Sequence, residues 1–124
     1  MERFAIKGPS NKAKGIVNIS GAKNSVLPLM ASSILFDDQI ILKNIPLTQD
    51  VYTMGKLLTA LNASVQINEK NKTIKIHNKK KLQTTVPYNI VKQMRGSLLV
   101  MGSLLGKYPK NQIRFPVVNR RCIT

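Results

Sequence analysis

Residues 21–35 read Gly-Ala-Lys-Asn-Ser-Val-Leu-Pro-Leu-Met-Ala-Ser-Ser-Ile-Leu and are the most informative stretch of this chain. A glycine turn leads into a lysine, an amide and an apolar stretch too long for a strand, so the sequence predicts a helix over 22–35, with Pro28 in its first turns or kinking it. Free backbone N–H groups, the helix dipole and the Lys23 ammonium then meet at one point. This predicts a site for a small anion such as phosphate, with a turn carrying a solvated lysine as the alternative.

Around this helix the chain alternates between strand and helix patterns, which predicts an α/β domain. Strands are expected at 3–7, 15–19, 39–44 and 112–115, and a β-hairpin from 63–68 and 73–77. A helix is expected over 48–61, with Thr48 as N-cap and Asp50 in the first turn as a helix-start residue rather than a catalyst. Another is expected over 87–105. Its glycines, Gly96 and Gly102, and Gly106 just beyond, predict close backbone packing in a core.

The length and composition favour one globular domain or part of one, since the 124 residues are 43% hydrophobic. The apolar runs stop short of the roughly 20 residues that span a bilayer, and the start of the chain lacks signal organisation. We therefore expect a cytoplasmic protein without membrane contact. The one cysteine, Cys122, excludes an internal disulfide and fits a reducing compartment.

The formal net charge of +15 raises the alternative of a small basic protein that binds nucleic acid. The lysines are spread along the chain, however, and no aromatic residues alternate with them as a stacking platform would require. Codon bias in an AT-rich genome explains the joint abundance of lysine, asparagine and isoleucine. We therefore do not expect nucleic acid as the partner.

Three stretches resemble the enolpyruvyl transferases in order and spacing: Ile19–Ser32, Leu42–Pro46 with Asp50–Met54, and Met94–Gly102. The resemblance extends from about Phe4 to Pro116. It implies a partial domain, 1–116, of repeated βαβαββ-type units with helices turned inward. The implied enzyme of peptidoglycan synthesis, in cell-wall biogenesis, moves enolpyruvyl from phosphoenolpyruvate to the 3-hydroxyl of UDP-N-acetylglucosamine, without metal or cofactor. The shikimate-pathway transferase is the nearest enzymatic alternative, and the motif at 21–24 favours the sugar-nucleotide enzyme.

The resemblance also implies the substrate-binding residues. Lys23 contacts the phosphate and carboxylate of phosphoenolpyruvate, and Asn24 lies beside it as a polar ligand. Arg95 belongs to a Met-Arg-Ala-Ser-type motif that helps to hold the substrates, with Gly96 in place of the usual alanine. A guanidinium there offers fork-like contacts to an anion that a lysine would not reproduce.

The resemblance stops after Pro116, where the family continues Pro-Gly-Gly-Cys and uses that cysteine as general acid. Asn119 stands at the cysteine position, and Cys122 is out of register, so no catalytic residue is assigned. Residues 117–124 are expected to be a divergent tail, which a frameshift in the Gly-Gly codons would produce. We therefore expect this chain alone to be inactive through truncation. The alternative is a split enzyme that a complementing chain completes.

Overall fold

The structure is a computed structural model that describes residues 2–9, 11–78, 81–86, 88–93 and 95–108. Four α-helices and three β-strands lie within these residues. They follow the order α1 (Lys23–Ser32), β1 (Ile40–Leu42), α2 (Gln49–Ala60), β2 (Ser64–Asn68), β3 (Thr73–His77), α3 (Tyr88–Val91) and α4 (Leu98–Lys107). Short 3-10 turns follow α1 at Ser33–Leu35 and precede α4 at Arg95–Ser97. The mixture of helices and strands confirms the predicted α/β class.

The three strands form one antiparallel sheet in the order β1-β3-β2. The register pairs Val65 with Ile76, and Ile76 in turn with Ile40, so these apolar side chains share one face. The other face carries polar side chains such as Gln66 and Lys75, which are exposed. This alternation confirms the predicted hairpin and the strand within 39–44, and it leaves one apolar face for the helices to cover.

The core lies between the apolar face of the sheet and the helices. Along α2 the buried side chains recur at helical spacing, at Val51, Met54, Leu57 and Leu58. On the sheet, Ile74 and Ile76 are almost completely buried. The remaining buried apolar residues are Val26, Leu27, Met30, Ala31, Ile34, Ile45, Leu61, Ala63, Leu82, Val86, Val91, Val100 and Leu104. The helix predicted over 48–61 is therefore confirmed, and its apolar stripe is the centre of the domain.

Helix α1 packs against both α2 and α4, as its apolar sequence predicts. Pro28 lies inside the helix at an exposed position, so it removes one helical hydrogen bond without breaking the helix. Beyond the helix, the buried Asn78 amide donates hydrogen bonds to the carbonyls of Ser33 (2.8 Å) and Phe36 (3.0 Å). Lys107 on α4 pairs with Asp37 at 2.8 Å. These contacts fix the end of α1 to the sheet and to α4.

Thr48 occupies the N-cap position of α2, as predicted, but its hydroxyl makes no cap hydrogen bond. The oxygen is buried and has no partner among the described residues, so it is turned away from the first-turn N–H groups. The Thr48 carbonyl instead accepts hydrogen bonds from the N–H groups of Val51 (3.1 Å) and Tyr52 (3.4 Å). The helix therefore begins with backbone hydrogen bonds to the Thr48 carbonyl. The prediction of a cap hydrogen bond to the Thr48 side chain is wrong.

The single helix predicted over 87–105 is wrong, because the described residues form α3, a 3-10 turn and α4. The Ser97 hydroxyl, at the end of this turn, donates to the Val91 carbonyl at 3.5 Å. The glycine prediction also fails at Gly102, where an added Cβ would meet nothing within 4 Å. At Gly106 the packing is close, since a Cβ would lie 3.2 Å from Cδ2 of Leu35.

The strands predicted at 3–7 and 15–19 are not formed. The described part of this segment has no strand partner, and its apolar side chains lie in solvent: Phe4 is 95% and Ile16 is 96% exposed. Its contact with the sheet region is a long hydrogen bond, 3.5 Å, from Asn44 Nδ2 to the Ile19 carbonyl. The alternation of apolar and polar residues favours a strand here, but a strand forms only where a neighbouring strand shares its backbone hydrogen bonds. Of the expected βαβαββ unit, the five elements from α1 to β3 are present.

The predicted strand at 112–115 and the tail at 117–124 lie outside the described residues. The repetition of the unit and the domain boundary at 116 stay predictions. None of the helices in the described ranges has the length and apolar character needed to cross a membrane.

We predict that trypsin cleaves the native chain first in the segment before α1, after Lys12 and Lys14. The backbone there lacks the hydrogen bonds of a sheet or helix, so it can enter the protease without unfolding the core. Lys56 within α2 and Lys75 on the central strand serve as internal controls. Mass spectrometry of a time course measures the order of cleavage. Cleavage after Lys56 or Lys75 at an equal rate would contradict the fold.

Candidate anion-binding site

The start of α1 is fixed by a close backbone contact. Gly21 lies so near the backbone of Asn44 that an added Cβ would collide with the Asn44 carbonyl oxygen. Asn44 itself has a positive φ of 55°, which turns the chain sharply after β1. Pro46 follows this turn and also approaches Gly21, with its Cδ 3.4 Å from the position of a Cβ. Glycine is therefore required at 21 by space, and the contact brings the starts of α1 and α2 toward each other.

Lys23 is the first residue of α1, and Ala22 is its N-cap. The Ala22 carbonyl accepts hydrogen bonds from the N–H groups of Ser25 (3.1 Å) and Val26 (3.2 Å). Because alanine has no side-chain oxygen, it cannot cap the N–H groups of Lys23 and Asn24, which have no intrahelical acceptor either. The helix start therefore offers two backbone donors beside an ammonium, as the sequence predicts for an anion site.

Asp50 is the direct partner of Lys23. Its Oδ2 lies 2.7 Å from the Lys23 Nζ, and the side chains are 50% (Lys23) and 33% (Asp50) exposed. Asp50 stands in the first turn of α2, as predicted, where its charge complements the helix dipole. The sequence contains no signal for the ion pair, since 27 positions separate the two residues and only the loop around Asn44 brings them together. This partner of Lys23 is the site residue that sequence reasoning missed.

The other two predicted binding residues, Asn24 and Arg95, do not take part in this ion pair. Asn24 follows Lys23 on α1, and its side chain is exposed. Arg95 lies on the 3-10 turn before α4, is exposed, and this turn packs against α2. Among the described residues, no hydrogen bond or ion pair joins Arg95 to Lys23 or Asn24. The fold thus gathers the three motif-bearing segments around α2, and of the predicted binding residues only Lys23 is paired with Asp50 among the described residues.

The described residues offer charge and hydrogen-bond donors for an anion but no arrangement for a metal. No group of three or more His, Cys, Asp or Glu side chains able to hold a metal ion occurs in them. His77 is at the end of β3, paired in register with Ser64, in keeping with a structural role. Asn119 and Cys122, discussed above for the general acid, lie outside the described residues. A phosphate site at the start of α1 stays a prediction.

A family model described as EPSP synthase (3-phosphoshikimate 1-carboxyvinyltransferase) matches residues 7–118. This chain belongs to the EPSP synthase family. The match covers all three motif segments and both residues of the Gly21–Asn44 contact.

Two relatives are named UDP-N-acetylglucosamine 1-carboxyvinyltransferase. The one from Elusimicrobium minutum is 42% identical and the one from Acinetobacter baylyi is 40% identical, each over 116 residues, or 94% of this chain. The chain spans 27% of the length of each relative. A solved structure, the enolpyruvyl transferase NikO from Streptomyces tendae, is similar with a TM-score of 0.68 at 21% identity, covering 78% of this chain and 22% of that one. This likeness confirms the enolpyruvyl transferase fold.

We predict that Gly21→Ala destabilises the chain by about 1–3 kcal/mol, because the new methyl group forces Asn44 and the start of α1 apart. Gly102→Ala is the matched control. It adds the same methyl group in open space on a helix, so it should stabilise the chain by up to about 1 kcal/mol. Urea unfolding followed by circular dichroism measures both. Equal effects of the two substitutions would contradict the close contact at Gly21.

A second contact of α2 is testable through pH. The Tyr52 hydroxyl donates to Glu69 Oε1 at 2.7 Å, and this hydrogen bond, with partial burial and the Glu69 charge, raises the pKa of Tyr52 above its usual value. Since the pKa is raised in the folded state, the stabilisation is present below the unfolded pKa near 10 and is lost as the pH rises through the folded pKa.

We predict that Glu69→Gln lowers the pKa of Tyr52 toward its usual value, because the carboxylate that favours the protonated phenol is gone. The phenolate absorbance in a pH titration measures the shift as a difference from the unsubstituted chain. Glu2→Gln removes the same charge in the exposed N-terminal segment and should leave the titration unchanged. An unchanged titration in Glu69→Gln would show that the Tyr52–Glu69 hydrogen bond does not persist in solution.

Proposed function

We propose that this chain is the phosphoenolpyruvate-binding part of an enolpyruvyl transferase that acts on UDP-N-acetylglucosamine. Two observations support the proposal. The relatives that align with 94% of the chain carry the name of that transferase. Lys23 stands at an uncapped helix start, which is the arrangement that binds a phosphate group.

In the proposed reaction the 3-hydroxyl oxygen of the sugar forms a bond to the enolpyruvyl carbon, and the bond from that carbon to the phosphate oxygen breaks. The bonding electrons leave with the phosphate oxygen, and the hydroxyl proton ends on that group, which departs as inorganic phosphate. The product is the enolpyruvyl sugar nucleotide used in peptidoglycan synthesis. We place this chemistry in the cytoplasm, where phosphoenolpyruvate is made.

Lys23 carries the central role in this proposal. Its ammonium and the N–H groups of Lys23 and Asn24 would hold the phosphate and stabilise the charge that it gains on leaving. The Asn24 side chain would contribute a further polar contact. Arg95, on the turn that packs against α2, would help to hold the substrates through its guanidinium. These residues bind and orient, and none of them is proposed as the general acid or base.

Turnover needs more than these residues supply. A general acid and a general base each contribute roughly 10²- to 10⁴-fold to such a reaction. We therefore propose that this chain alone binds substrate without turning it over, and that turnover requires the part of the relatives that lies beyond the 27% spanned here. In the split-enzyme alternative, a complementing chain supplies that part.

We predict that Lys23→Met weakens binding of phosphoenolpyruvate and of inorganic phosphate by about tenfold or more, as expected for losing a charge-assisted hydrogen bond. Lys107→Met is the matched control, because it removes an equal charge from the other ion pair of the described residues. Isothermal titration calorimetry measures both affinities. Equal weakening by the two substitutions would show non-specific attraction to a basic protein and would contradict the proposal.

The same preparation tests the nucleic-acid alternative. Binding to duplex DNA through many lysines must weaken steeply as salt rises, because counterions are released. Tight DNA binding with that salt dependence, together with no measurable affinity for phosphoenolpyruvate, would favour the basic binding protein over the transferase.

A further inference from the structure

The ammonium that would bind the phosphate already has a partner. Lys23 Nζ lies 2.7 Å from Asp50 Oδ2, a distance typical of a charge-assisted hydrogen bond. Two other described acids are engaged elsewhere: Asp37 pairs with Lys107, and Glu69 accepts from Tyr52. Because it lies this close to the ammonium, Asp50 places a negative charge beside any anion that binds Lys23.

The two charges act on an anion in opposite directions. An anion close to Lys23 is attracted by the ammonium and repelled by a carboxylate only a few ångströms farther away. Both side chains are partly exposed, at 50% and 33%, so water screens each interaction without removing it. An anion must also share the ammonium with Asp50, since one of its three N–H donors points at the carboxylate. The ion pair thus lowers the affinity of the site for any anion.

We propose that Asp50 is a positioning residue that holds Lys23 at the helix start and limits how tightly the site keeps phosphate. This inference rests on the proposed function, because it assigns a role to Asp50 in the same site. Limited affinity matters for a transferase, since inorganic phosphate is released in each turnover and must leave before the next substrate binds. A site made of Lys23 and free N–H groups alone would hold the leaving phosphate longer.

The charge pattern of α2 explains how Asp50 can serve both the helix and the site. Asp50 lies in the first turn, where a negative charge is favourable against the dipole of α2. Lys23 lies at the start of α1, where a positive charge is unfavourable against the dipole of α1. Pairing with Asp50 offsets that repulsion while the site is empty. When phosphate binds, its own negative charge can take over this function.

The test measures the affinity of the 124-residue chain for inorganic phosphate by calorimetry. We expect Asp50→Asn to bind phosphate about three- to tenfold more tightly, because the repelling charge is gone while an amide oxygen of the same shape still accepts from Lys23. In a Lys23→Met background, Asp50→Asn should change the affinity far less. Asp37→Asn is the matched control, since it raises the net charge equally and breaks the other ion pair. It should leave phosphate affinity unchanged.

The outcomes distinguish a failure of the proposed function from a failure of the role assigned to Asp50. No loss of affinity in Lys23→Met would remove the proposed function itself. Loss in Lys23→Met together with unchanged or weaker binding in Asp50→Asn would overturn the role of Asp50 alone. Equal tightening in Asp50→Asn and Asp37→Asn would also overturn it, because the effect would then be one of net charge. Asp50→Ser, which is also compatible with a first helical turn, provides the measurement if Asp50→Asn does not fold by circular dichroism.

Discussion

The close contact between Gly21 and the Asn44 backbone is the constraint on which the site depends. It leaves no room for a Cβ at position 21, and it joins the start of α1 to the turn that leads from β1 toward α2. Two helix starts come near each other as a result. The ion pair between Lys23 and Asp50, 2.7 Å across, exists because this backbone contact sets the distance between the two helices.

The core holds that arrangement in place. Buried side chains of α1, such as Met30, lie in the same cluster as Met54 of α2 and Leu104 of α4. Ile74 and Ile76 of the central strand close the cluster from the sheet side. Because interiors of this kind are densely packed, a shift of one helix would disturb all of them. The polar groups at the helix starts can therefore be partly exposed and still be held at defined positions.

Local sequence patterns correctly predicted the elements whose residues contact neighbours that are close to them in the chain. The α2 stripe from Val51 to Leu61 and the hairpin of β2 and β3 are of this kind, and both are confirmed. The strands predicted from alternation at 3–7 and 15–19 were wrong, since a strand depends on a partner strand that can lie far away in the chain. Among the described residues, no strand is paired with either segment. The single helix predicted over 87–105 failed because the described residues form α3 and α4 with a 3-10 turn before α4, a division that helical periodicity does not report.

The family, the α/β class and the position of Lys23 and Asn24 at a helix start follow from contiguous motifs, so they could be predicted before the structure was known. The sequence also placed Asp50 in the first turn of α2. The pairing of Asp50 with Lys23, and the packing of the turn that carries Arg95 against α2, became visible in the folded chain alone. The physical reason is the same in both cases. Such contacts depend on the angle of a turn and the packing of a core, which no local pattern of residues records.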